Sequence, residues 1–144
     1  AYNLGAKQKK RMFDTIKLAM IYATGMMIIG VIFFETIPQT LLGFFNASEA
    51  MIKIGTPALR IIAIHFIFAG FSIVCSATFQ AVGKGTYSLL TSLIRQLLVL
   101  LPCAYVLSLT GNLDLIWLCF PIAEIFSAVT SFILMKRTRR HLEF

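Results

Sequence analysis

Three ionisable side chains stand where the sequence offers them no water. His65 lies within the run Ile61 to Val82, Arg95 within Tyr87 to Leu109, and Glu124 within Leu115 to Met135, and each is the sole ionisable side chain apart from cysteines and tyrosines in its run. Imidazole, guanidinium and carboxylate groups bind ions, pair with one another or exchange protons. In hydrocarbon they are costly unless they face protein or a water-filled cavity, so these positions are the first candidates for function. A second polar set surrounds them: His65, Ala69, Ser72, Ser76 and Gln80 recur at three- to four-residue steps, on one helix face. That face reads either as a packing seam, where small and hydroxyl residues let backbones approach and hydrogen-bond, or as the lining of a substrate path. His65 reads either as a satisfied interior histidine or as a proton relay, imidazole being the side chain that titrates near neutrality.

Arg95 lies eleven residues from Lys84, and Glu124 twelve from Lys136. On adjacent antiparallel helices those counts put both charges at similar depth. Each alone near mid-membrane is expensive, so the two are expected to approach each other or share a polar cavity. Such a pair can orient two helices, or it can serve gating or proton coupling through Glu124. Ser88, Thr91, Ser92, Arg95 and Gln96 make one half of their run polar, and Pro102 in the other half removes a backbone donor and is expected to bend the helix. Pro121 precedes Glu124 by one turn, beside a small-residue seam of Ala123, Ser127 and Ser131. The candidates for an ion or substrate path are therefore Glu124, Arg95, His65, Ser72, Ser76 and Gln80.

The elements that must hold these residues are long and apolar. A helix of about 20 residues crosses the hydrocarbon layer, and the three runs above are joined by a fourth, Leu18 to Phe34, with no charge at all. The predicted fold is an all-α polytopic transmembrane helix bundle of four membrane-spanning helices, at 16–36, 57–82, 86–109 and 113–136. Residues 1–15 form a basic cytoplasmic segment, 37–56 an outer loop with a short interfacial helix, and 137–144 a basic cytoplasmic tail. Charged residues make up 13% of the chain, against about 25% in soluble domains, and most runs are apolar around their circumference, which argues against a soluble bundle. Pro38 should end the first span. Gln39 to Phe45 looks interfacial, Asn46 or Ser48 can cap the next helix with Glu49 in its first turn, and the glycines at 83, 85 and 111 mark hairpins.

The net charge of +7 sits at the ends of the runs rather than on one amphipathic element, so nucleic acid is not an expected partner; the lipid bilayer is. Ten of the thirteen basic residues flank one side: Lys7, Lys9, Lys10, Arg11, Lys17, Lys84, Lys136, Arg137, Arg139 and Arg140. By the positive-inside rule both ends of the chain are cytoplasmic, and the protein is a multi-pass component of the cell (inner or plasma) membrane. Cys75, Cys103 and Cys119 share no metal-ligand spacing and read as packing residues. No phosphate-cradling loop, catalytic triad order or paired histidine motif is present, so neither catalysis nor a metal or organic cofactor is expected. The chain starts with Ala rather than Met, which suggests sequence upstream.

Several segments together resemble the multidrug and toxic compound extrusion (MATE) transporters. Tyr2-Asn3-Leu4-Gly5-Ala6-Lys7 and its basic run are similar to the Asn-x-Gly-Ala segment at the cytoplasmic end of that family's eighth helix. Ala58-Leu59-Arg60-Ile61-Ile62 and Phe79-Gln80-Ala81-Val82-Gly83-Lys84-Gly85 resemble its tenth helix and the turn that follows. Ile94-Arg95-Gln96 with Leu101-Pro102, and Ile116-Trp117-Leu118 with Phe120-Pro121-Ile122-Ala123-Glu124, look like the eleventh and twelfth. The resemblance implies the last four helices of a twelve-helix, two-lobed antiporter that exports small cationic or amphipathic compounds in exchange for Na⁺ or H⁺. It implies that the preceding helices of the same transporter are partners of this segment, with a substrate cavity between the lobes. Family members that bind a cation in this lobe use an acidic residue in the tenth helix, and none lies between Arg60 and Val82 here, which leaves the coupling ion open. Two other readings compete: a stand-alone four-helix membrane scaffold, and a small dimeric drug exporter. The last would want an acidic residue in its first span, where there is none.

Overall fold

A computed structural model describes residues 1–142; the last two positions of the expected basic tail, Glu143 and Phe144, lie outside the described residues. Among the described residues every regular element is helical. The first span, Lys9–Thr36, has 28 residues and a length of about 42 Å at 1.5 Å per residue, so its basic first turns project beyond a hydrocarbon layer of about 30 Å. The helix therefore starts inside the basic segment rather than after it. Ile37 ends it, and a short helix, Pro38–Gly43, follows with Pro38 in its first turn, where a missing N–H costs nothing. Phe44 and Phe45 beyond it are 79% and 83% exposed, as suits side chains lying in an interface.

The second span is not the single helix expected over 57–82. It consists of Glu49–Ala63 and Phe66–Ala81, bent by 56° at Ile64 and His65. Ser48 caps the first piece by accepting from the Met51 N–H at 3.3 Å, with Glu49 in the first turn and Pro57 inside the helix. Pro57 is not the cause of the bend. At the break, the N–H groups of Ile64 and His65 reach back only three residues, to Ile61 and Ile62, and the His65 Nδ1 also donates to the Ile62 carbonyl. A side chain competing for a backbone acceptor interrupts the four-residue ladder, and the axis turns there.

The third span, Gly85–Ser108, keeps its 24 residues as one helix but widens into a π-helix over Ile94–Leu100. Pro102 explains this, because it lacks the N–H that would meet the Leu98 carbonyl and its ring crowds that turn. The backbone relieves both by opening into the wider helix. The fourth, Leu113–His141, is two helical pieces, Leu113–Ile116 and Cys119–His141, with Pro121 in the first turn of the longer. Gly83 and Gly111 adopt φ of 76° and 70° in the hairpins, and the Lys84 N–H closes on the Phe79 carbonyl at 2.7 Å, a left-handed cap that glycine permits.

Phe66–Ala81 is the hub, in contact with the first, third and fourth spans. Gly70 lets the first span close in: a Cβ there would lie 3.0 Å from Met27 Cγ and 3.4 Å from the Ala23 carbonyl oxygen. The interior is mostly small and polar, with Ala63, Cys75, Ala123, Ser127, Ser131 and Thr138 all buried around the one large ring of Phe79, while most Ile and Leu side chains face outward. That inversion suits lipid as the solvent, where hydrogen bonding and close packing rather than hydrophobic burial hold helices together. The first and last helices meet at one end, where the Arg139 guanidinium stands 5.3 Å from the centroid of the Phe13 ring.

Candidate functional site

Arg95 projects from the π-helical turn of the third span and Glu124 from the second turn of the long helix of the fourth. The two approach each other, with Arg95 Nη1 3.5 Å from Glu124 Oε2. The exposures are unequal: the Glu124 side chain is 4% exposed and that of Arg95 30%. At 3.5 Å the contact is an ion pair rather than a well-formed hydrogen bond. Two further polar atoms of the pair, Glu124 Oε1 and Arg95 Nε, are buried without a hydrogen-bond partner.

Two cavities flank this pair. One, of about 220 Å³, is lined by His65, Arg95, Gln96, Leu100, Phe120, Ala123 and Glu124. The other, of about 250 Å³, is lined by Ser72, Ser76, Gln80, Thr91, Ser92, Arg95 and Ser127 together with Ile73 and Ala77. All six candidates from the sequence line one or the other, and Arg95 lines both. Each space has room for several waters at about 30 Å³ apiece.

His65 is positioned by the bend it helps to create. The Ile62 carbonyl can only accept, so the ring carries a proton on Nδ1, and Nε2 faces away from that bond. Its ring packs edge-on to Phe66, with centroids 5.0 Å apart, and near Phe120 at 6.4 Å, while Phe120 in turn stacks on Trp117. The seam reading of the second span has direct support. Ser76 and Ser88 hydroxyls hydrogen-bond across to each other, and Gln80 Nε2 donates to Ser88 Oγ at 3.0 Å. Ser72 differs, its hydroxyl being buried, unpartnered and at the cavity wall.

Sequence reasoning overlooked Phe120 as a wall of the ionic cavity and Ser88 as the centre of the serine contact. Phe120 is one helical turn before Glu124, so the i, i+4 rule finds it once Glu124 is chosen. Ser88 stood out only as one polar residue among five in its run, because its role depends on which helix faces it.

An all-helical bundle with an apolar exterior and an ion pair flanked by cavities in its interior is a polytopic membrane protein. The MatE family model matches residues 1–106, and the chain belongs to that family of multidrug and toxic compound efflux transporters. The match takes in His65 and Arg95 and stops short of the fourth span and Glu124. No curated protein and no solved structure matches the chain.

Proposed function

We propose that this chain is a segment of a secondary active multidrug antiporter in which Glu124 binds the coupling proton and Arg95 is the partner that protonation releases. The transporter exports cationic or amphipathic compounds from the cell membrane, with both ends of this segment cytoplasmic. One observation carries the reading: Glu124 is buried with one oxygen on Arg95, the other without a hydrogen-bond partner, beside a cavity that His65 also lines. A guanidinium 3.5 Å from Oε2 disfavours any cation there and fills the place a Na⁺ ion would need for its several oxygen ligands, whereas a proton needs only the one free lone pair that Oε1 offers. Protonating Glu124 cancels the attraction and frees the third span to shift against the fourth. Alternating access needs a ligand-dependent change of this kind. Further helices of the same transporter complete the path, which accords with Gln96 being exposed within an apolar span, where an amide side chain calls for a protein or water partner.

The test uses the full reading frame in proteoliposomes. Glu124→Gln, which keeps shape and removes the titrating group, is expected to retain drug binding and lose uptake driven by a pH gradient. Wild-type transport by that variant removes Glu124 from the mechanism, and export driven by a Na⁺ gradient alone replaces the proton.

A further inference from the structure

The foot of the fourth span carries a groove that the transport reading does not use. It is an open furrow along one helix face, with a volume of about 600 Å³, between the side chains of Phe132, Ile133, Lys136, Arg137, Arg140 and His141. It lies opposite the buried face of the same helix, where Ser127, Ser131 and Thr138 meet the bundle. Phe132 and Ile133 are 57% and 59% exposed. The order along the helix is the order of a lipid leaflet: apolar side chains first, then within about 14 Å of rise a set of cations at headgroup level. Lys136 with Arg140, and Arg137 with His141, are each spaced i, i+4, so the charges stand in two columns one turn high.

We infer that this groove binds one anionic phospholipid, its headgroup phosphate held by Lys136, Arg137 and Arg140 and its acyl chains laid along Phe132 and Ile133. Charge complementarity carries the assignment. The last carbonyls of a helix repel an anion, so recognition here falls to side chains alone, and arginine forks suit phosphate oxygens. Basic residues clustered just outside a span attract anionic lipid at about fivefold in affinity per charge. The neighbouring Arg139 supplies the control. It points away from the groove, toward the Phe13 ring, yet carries the same charge at the same depth.

The experiment takes the full-length protein in vesicles of phosphatidylcholine with or without added phosphatidylglycerol, and counts phosphatidylglycerol retained on the protein by native mass spectrometry. Arg140→Gln is expected to lower retention about fivefold and Arg139→Gln to leave it unchanged; K136Q/R137Q/R140Q brings it to the phosphatidylcholine level. These positions are exposed, so folding is not at issue. Equal losses for Arg140→Gln and Arg139→Gln overturn the site in favour of diffuse charge. Undiminished retention in the triple variant also overturns it, and leaves the groove to a protein neighbour.

Discussion

Two polar clusters sit side by side in this bundle and are finished to different degrees. Near the Gly83 hairpin, Ser76, Gln80, Ser88 and Thr91 satisfy one another: Ser88 Oγ meets both Ser76 and Gln80, and Thr91 Oγ1 donates to the Ser88 carbonyl at 2.9 Å. Deeper in, Arg95 Nε, Glu124 Oε1 and Ser72 Oγ are buried with no partner. Closed hydrogen bonding holds helices in place, whereas open groups at cavity walls demand water, a proton or substrate to complete them. The serine contact accordingly has the form of architecture, and the ionic contact is the one the proposed antiport cycle would change.

The largest expected effect breaks the ionic side of this comparison. Glu124→Ala leaves the Arg95 guanidinium without its counter-charge and is expected to destabilise the bundle by about 3 kcal/mol, measured by unfolding in mixed micelles. The low end of the usual range applies because Arg95 keeps some solvent access. Replacing both charges together, R95M/E124M, is expected to restore most of that stability while proton-driven transport stays lost. A double variant no more stable than the single one places the cost in cavity formation, and the open groups then say nothing about function.

His65 is intermediate, because its ring serves the fold while standing at the ionic cavity. His65→Phe removes the Nδ1 hydrogen bond to the Ile62 carbonyl, at an expected cost of about 1.5 kcal/mol, and lets the four-residue ladder re-form. The 56° bend should then relax. Spin labels at the exposed positions Ile54 and Ile73 report it directly, since straightening lengthens the distance between them. An unchanged distance assigns the bend to packing against the neighbouring helices instead.

The extent to which sequence anticipated all this follows from the range of each interaction. Apolar runs, hairpin glycines, the Ser48 cap and the approach of Arg95 to Glu124 depend on counting along one chain, and each appears where counting puts it. The break at His65 and the π-helix before Pro102 do not. Both are choices between ways of rerouting a few backbone hydrogen bonds, and the neighbouring spans decide between them. The same limit hides Ser88, whose hydroxyl becomes a hub only when the second span presents Ser76 and Gln80 to it. The unpaired atoms of Glu124 and Arg95 were equally illegible, because an unmade bond leaves no pattern in sequence.

Ser88→Ala is the mildest test and the sharpest for the serine contact. It removes the acceptor for Gln80 and the partner of Ser76, yet hydrogen bonds between membrane helices are worth only about 0.6 kcal/mol each on average, because the unfolded segments also find partners in the bilayer. A loss of about 1 kcal/mol with transport close to wild type is therefore expected, since the second and third spans still pack through Phe79 and Tyr87, whose ring centroids are 5.7 Å apart. The informative failure is the opposite pattern. Transport lost at unchanged stability makes Ser88 part of the path, for it reaches Gln80 and Ser76 at the wall of the cavity that Arg95 shares. The two clusters are then one continuous polar route, and the closed hydrogen bonds around Ser88 are the resting state of a contact that opens during the cycle.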